Sequence, residues 1–118
     1  MKKDEGDLRN RTKAFALRVI RLFVTLPKST EAQVLGRQVL RSGTSVGANY
    51  RAACRARSKA DFASKMGIVL EEADEAISWA ELLSESGVVP KDAVEPLIAE
   101  ANQLVSIAIA SIKTAKGI

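Results

Sequence analysis

The sequence predicts an all-α protein, an antiparallel up-down-up-down four-helix bundle that oligomerises. Apolar residues recur at steps of three and four through four separate segments. Prolines, glycines and capping residues divide those segments at short intervals. Composition agrees: 47% of residues are hydrophobic but only 4% aromatic, so the core is built from Ala, Val, Leu and Ile. That balance suits packed helices better than a β-sandwich. Residues 1–118 read as one domain, with residues 1–7 as a flexible N-terminal tail.

The first helix is expected from Asp7 to Leu26, with Leu8, Thr12, Phe15, Val19, Leu22 and Leu26 on one stripe. Pro27 ends it. Arg11, Arg18 and Arg21 share a different face, and Leu17, Ile20 and Val24 form a second apolar strip. A second helix opens at Ser29 or Thr30, with Glu31 in its first turn, and is expected to run to about Arg57.

Inside it lies RSGTSVGAN, Arg41 to Asn49, which in isolation resembles a phosphate-cradling loop. Val39, Gly43, Val46, Tyr50 and Ala53 nevertheless keep the helical spacing straight through it. No strand precedes it, as a phosphate loop requires. Gly43 and Gly47 are therefore read as helix-packing residues that admit a neighbouring backbone, each costing about 1 kcal/mol of helix propensity.

Ser58 to Asp61 caps a third helix, whose stripe runs from Phe62 through Met66, Val69, Ala73, Ala76 and Ala80 to Leu83. Glu71, Asp74 and Glu75 point away as a solvated acidic face, and Trp79 joins Ile68 and Leu82 in a second apolar patch. Ser86–Gly87 ends the helix. A fourth helix is expected from near Glu95, or kinked there by Pro96, to near Gly117. Its stretch LVSIAIASI is apolar almost all round. With Leu17, Val24 and Trp79, Ile107 and Ile109 of that stretch are expected to form an oligomer interface.

The net charge of +4 hides an asymmetry: residues 1–60 carry +10 and residues 61–118 carry −6. Such a split indicates a basic face for a polyanion, or one half of the fold pairing with the other. On a continuous second helix, Arg37, Arg41, Arg51, Arg55 and Lys59 fall within about a quarter of the circumference, opposite the apolar stripe. With Arg11, Arg18 and Arg21 they are the candidate nucleic-acid contacts. Few aromatic residues are present to read bases, so low sequence specificity is expected. The competing reading pairs these arginines with the acids of the third helix, and Arg41, amid the glycines, fits it best.

The chain contains no histidine, one cysteine (Cys54) and no nucleotide-binding fingerprint. No catalytic, metal or cofactor site is therefore expected, and an enzyme is disfavoured. The N-terminus lacks the apolar core of a signal peptide, and no apolar run approaches the ~18 residues of a membrane span. A cytoplasmic protein with no membrane partner is expected.

RTKAFALRVIRLF, RSGTSVGANYRAACRARSKADFASKMGI and EEADEAISWAELL together resemble a bacterial family of small four-helix-bundle proteins. Its members were first recognised as reading frames within intervening sequences of 23S ribosomal RNA genes. The resemblance covers roughly residues 8–115 and implies a ring-shaped homopentamer of antiparallel bundles. Accessory proteins of diversity-generating retroelements are similar: basic pentamers that bind a reverse transcriptase and nucleic acid. The implied partners are other copies of the chain, RNA or DNA, and a reverse transcriptase or another protein acting through an adaptor role.

Overall fold

In the computed structural model, the backbone is described from Lys3 to Ile118 and the side chains from Asp7 onward. The described residues form four α-helices and no strand: α1 (Lys3–Thr25), α2 (Thr30–Cys54), α3 (Lys59–Glu85) and α4 (Lys91–Lys116). Helices of this length reach about 40 Å at ~1.5 Å per residue. The long dimension of the molecule is 45 Å, against 23 and 21 Å across, so the helices lie along one axis. Residues 3–7, read from sequence as tail, are the first residues of α1, and residues 1 and 2 fall outside the described region.

The periodic stripes become the core. Phe15 and Val19 of α1 meet Val39 and Val46 of α2, Met66, Val69 and Leu83 of α3, and Val94, Leu97 and Leu104 of α4. Three alanines of α3 (Ala73, Ala76 and Ala80) are fully buried at its middle. Their small side chains let α3 pack extensively on both α2 and α4, whereas α1 and α4 form the sparsest of the helix pairs that touch. That leaves the α1–α4 side the more open flank of the bundle.

RSGTSVGAN is helix throughout, and its glycines do what their spacing predicts. A Cβ on Gly43 would lie 2.7 Å from Val19 Cγ2, and one on Gly47 would lie 3.2 Å from Thr12 Oγ1. Gly36 belongs to the same ridge, since a Cβ there would collide with Leu26 Cδ1 and meet Phe23 Cδ1 at 3.1 Å. Contacts that climb α2 from Gly36 to Gly43 to Gly47 descend α1 from Leu26 to Val19 to Thr12.

Local chemistry accounts for most helix ends. Ser58 adopts an extended backbone, and its Oγ accepts from Asp61 N at 3.0 Å, the capping predicted from SKAD. Gly87 (φ +83°) and Gly117 (φ +73°) take the left-handed conformation that closes α3 and α4. Two boundaries differ from the sequence expectation. The second helix stops at Cys54 rather than near Arg57, because the Arg55 and Ala56 amides bond to Ala52 and Ala53 O in a tighter turn. The fourth helix begins at Lys91 rather than near Glu95, with Pro90 at its N-cap. Pro96 then falls in the second turn, where it forgoes the bond its amide would have made to Asp92 O.

By length and composition alone α4 could cross a membrane, contrary to the expectation from apolar run length. Core helices of soluble proteins meet the same test; Val94, Leu97, Ala101, Leu104 and Ala108 of α4 are buried in this core, but only 28% of its apolar window is.

Candidate nucleic-acid interface

The hydroxyl and amide groups of RSGTSVGAN are spent on their own helix. Ser42 Oγ donates to Gln38 O (2.7 Å), Thr44 Oγ1 to Leu40 O (2.7 Å), Ser45 Oγ to Arg41 O (2.7 Å) and Asn49 Nδ2 to Ser45 O (2.8 Å). Back-bonding of this kind satisfies small polar residues inside a helix without a ligand. The segment is a packing surface, and the phosphate-loop alternative is overturned.

The basic residues divide into paired and unpaired sets. Arg41 bridges α2 to α3: Nη1 reaches Glu72 Oε2 at 3.2 Å, and Nη2 bonds Glu75 Oε1. Trp79 Nε1 donates to the same Glu75 oxygen at 3.1 Å. These two donors, Trp79 foremost, hold the Glu75 carboxyl below its ordinary range, while Glu75 keeps the Arg41 guanidinium firmly charged. Arg11 bridges α1 to α4, its Nη2 lying 2.7 Å from Glu100 Oε1 and 2.8 Å from Gln103 Oε1. The reading in which arginines pair with the acidic half therefore holds for Arg41 and Arg11, although Arg41 remains half exposed rather than buried.

Arg18, Arg21, Arg37, Arg51, Arg55 and Lys59 have no carboxylate partner among the described residues. Arg37 and Arg51 are exposed on the outer ridge of α2, opposite Val39 and Val46. Arg55 and Lys59 do not extend that ridge as predicted. Arg55 caps the end of α2 and Lys59 is the first residue of α3, because the chain turns at Arg55–Ser58. Arg18 and Arg21 sit on α1, Arg18 half-buried and Arg21 exposed.

The turn concentrates charge at one end of the bundle. Arg51, Arg55, Arg57 and Lys59 gather around it, and Lys59 lines a groove together with Lys116 from the end of α4. Nearby Asp61 is taken by Lys65 Nζ at 2.7 Å, and this bond draws its carboxyl below the usual range. Sequence reasoning missed Arg57 and Lys116 as members of this cluster. The available signal was that basic residues crowd the last turn of one predicted helix and the junction of two others.

The acidic residues form no group of three or more suited to a metal among the described residues. Glu71 and Asp74 are exposed as expected, while Glu72 and Glu75 engage Arg41. Of the expected interface residues, Val24 is 70% exposed, Leu17 43% and Ile109 40%. Trp79 and Ile107 are half-buried against the core, so α4 divides its apolar surface. Ile107 faces a groove beside α1, and Ile109, two residues on, points elsewhere.

Residues 5–110 match the family described as 23S rRNA-intervening sequence protein. The chain belongs to that family. This member is also similar to a crystal structure of a protein of unknown function from the S23 ribosomal protein family of Bacteroides thetaiotaomicron VPI-5482. The two share 35% identity and superpose with a TM-score of 0.84, covering 90% of this chain and 98% of that one. No curated protein matches the chain.

Proposed function

We propose that this protein is a non-enzymatic, cytoplasmic, oligomeric binder of structured nucleic acid, RNA or DNA, with low sequence specificity. Each protomer is an antiparallel up-down-up-down bundle, and the assembly is a homopentamer built through exposed apolar residues such as Leu17, Val24 and Ile109. The observation that carries the reading is the unpaired set of cations: Arg37, Arg51, Arg55 and Lys59 face outward with no carboxylate partner among the described residues. A fold that needed them for internal pairing would have matched them as it matches Arg41. The family's description, which ties it to 23S ribosomal RNA, supports the same reading.

Affinity then arises from phosphate neutralisation and weakens steeply with salt. Reversing Arg51 and Arg55 together to Glu should abolish binding to duplex RNA or DNA near physiological salt and leave the helical content unchanged. Neutralising them one at a time should lower the log–log salt slope by about one each. Absence of binding by the wild type at low ionic strength would sink the reading. Where self-association leaves it uncovered, the exposed strip Leu17, Ile20 and Val24 favours a second one, an adaptor that docks a protein such as a reverse transcriptase.

A further inference from the structure

At the basic end of the bundle two grooves meet. The larger, about 780 Å³, lies between the first turns of α1 and α3 and the last turns of α4. Its walls are mostly apolar, formed by Leu8, Phe62, Ile107 and Ala110, with the Ser111 and Thr114 hydroxyls among them. The smaller, about 380 Å³, is bracketed by Lys59 and Lys116. Lys59 and Ala115 line both, so the two form one continuous track, apolar in one half and cationic in the other. A volume of 780 Å³ lies in the range that small-molecule sites occupy, about 300–1,000 Å³.

Building on the polyanion reading above, we infer that this track takes one unpaired nucleotide of a bound RNA. The base enters the larger groove against Phe62, and its flanking phosphates follow Lys59 and Lys116. Two kinds of complementarity meet in one place. A duplex keeps its base faces stacked and offers a convex protein end mainly phosphates and sugars, so the outer cations suffice to hold it. An unpaired base adds an apolar, planar face that needs an aromatic or aliphatic slot beside the cations, and the larger groove is such a slot. Phe62 is half-buried at its wall, and Tyr50, 2% exposed, lies at its floor. Ser111 Oγ donates to Ile107 O at 2.9 Å and keeps acceptor capacity toward the groove. Asp7 also lines the larger groove. Stacking tolerates any base, which keeps specificity directed at unpairing rather than sequence.

The test compares a blunt RNA duplex with the same duplex carrying one bulged nucleotide, by fluorescence anisotropy at fixed salt. The wild type should bind the bulged RNA about tenfold more tightly, the size of one stacked base. Ala110→Trp fills the larger groove from an exposed helical position and should erase that preference while leaving duplex affinity and salt slope unchanged. Thr114→Trp, also exposed, gives a second route should the first variant lose its helical signal. Equal wild-type affinity for the two RNAs, or a preference that survives both fillings, overturns the groove and leaves the polyanion surface standing. Failure to bind either RNA at low salt overturns the polyanion surface, and this inference with it.

Discussion

Gly43→Ala adds a single methyl at the tightest helix–helix approach for which the neighbour cannot yield. The new Cβ would lie 2.7 Å from Val19 Cγ2, 3.0 Å from its Cγ1 and 3.2 Å from its Cβ. Carbon atoms prefer about 3.5–4.0 Å, so α1 and α2 must separate by most of an ångström. Val19 is 1% exposed and branched at Cβ, which limits it to essentially one helical rotamer, so it has nowhere to turn. Overpacking of this kind costs about 1–3 kcal/mol, against about 1 kcal/mol regained in helix propensity. The net effect is a loss of about 0–2 kcal/mol. Gly67→Ala is the control: its Cβ would meet nothing within 4 Å, and the propensity gain of about 1 kcal/mol stands alone. The two variants should therefore differ by about 1–3 kcal/mol, or roughly 4–12 °C in Tm at one fixed protein concentration. Adding Val19→Ala to Gly43→Ala should be less damaging than the sum of the single changes. If Gly43→Ala stabilises as much as Gly67→Ala, the close-approach account of the glycines is wrong.

Three further outcomes follow from particular contacts. Ser58→Ala removes the oxygen that accepts from Asp61 N and should cost about 1 kcal/mol in denaturant unfolding, with Ser58→Asp retaining most of it. Glu75 has a folded pKa below its ordinary 4.5, so its contribution is complete above that value and fades as pH falls through the depressed one. Glu75→Gln should accordingly flatten the acid limb of the stability–pH curve and leave its slope near neutrality unchanged, and an unaltered acid limb would discount the Trp79–Glu75–Arg41 cluster. Pro96→Ala restores an amide donor to Asp92 O and should stabilise by about 1–3 kcal/mol in thermal melts. No gain would mean that α4 begins beyond Pro96.

The helices and their inward faces were legible because burial repeats. Each stripe samples the same core every three or four residues, so Phe15, Val19, Met66 and Leu83 betray themselves by spacing alone. The packing role of Gly43 and Gly47 was legible for the same reason: phase is conserved across them. Gly36 was not, because one glycine in VLGRQVL looks like ordinary propensity loss until α1 is known to lie against it. The end of α2 was hidden by sequence that favours helix, since Ala52 to Ala56 contains neither glycine nor proline. The chain stops there so that α3 can begin at Lys59, with Ser58 as its cap, and no local signal marks that need. Which cations would find partners was equally hidden, since pairing depends on where α3 and α4 place their acids.

The fate of each arginine on α2 follows from a small angular difference. At about 100° per residue, Arg41 is turned about 40° from Arg37 and Arg51 about 40° the other way. The rotation carries Arg41 toward α3, within reach of Glu72 and Glu75, and leaves Arg37 and Arg51 on the outer ridge. Arg41 is therefore a clasp between helices, and its two acids interrupt the positive ridge near its midpoint. On one side of that break Arg37 stands apart. On the other, Arg51, Arg55, Arg57 and Lys59 crowd the turn, and Lys116 joins Lys59 from α4. The glycine ridge acts on the same distribution from the opposite flank. By drawing α1 close, it turns the stripe of α2 fully inward and commits the opposite face, with its unpaired guanidinium groups, to solvent. A bulkier residue at Gly43 should thus disturb the basic surface as well as the core, since both are set by one rotation of one helix.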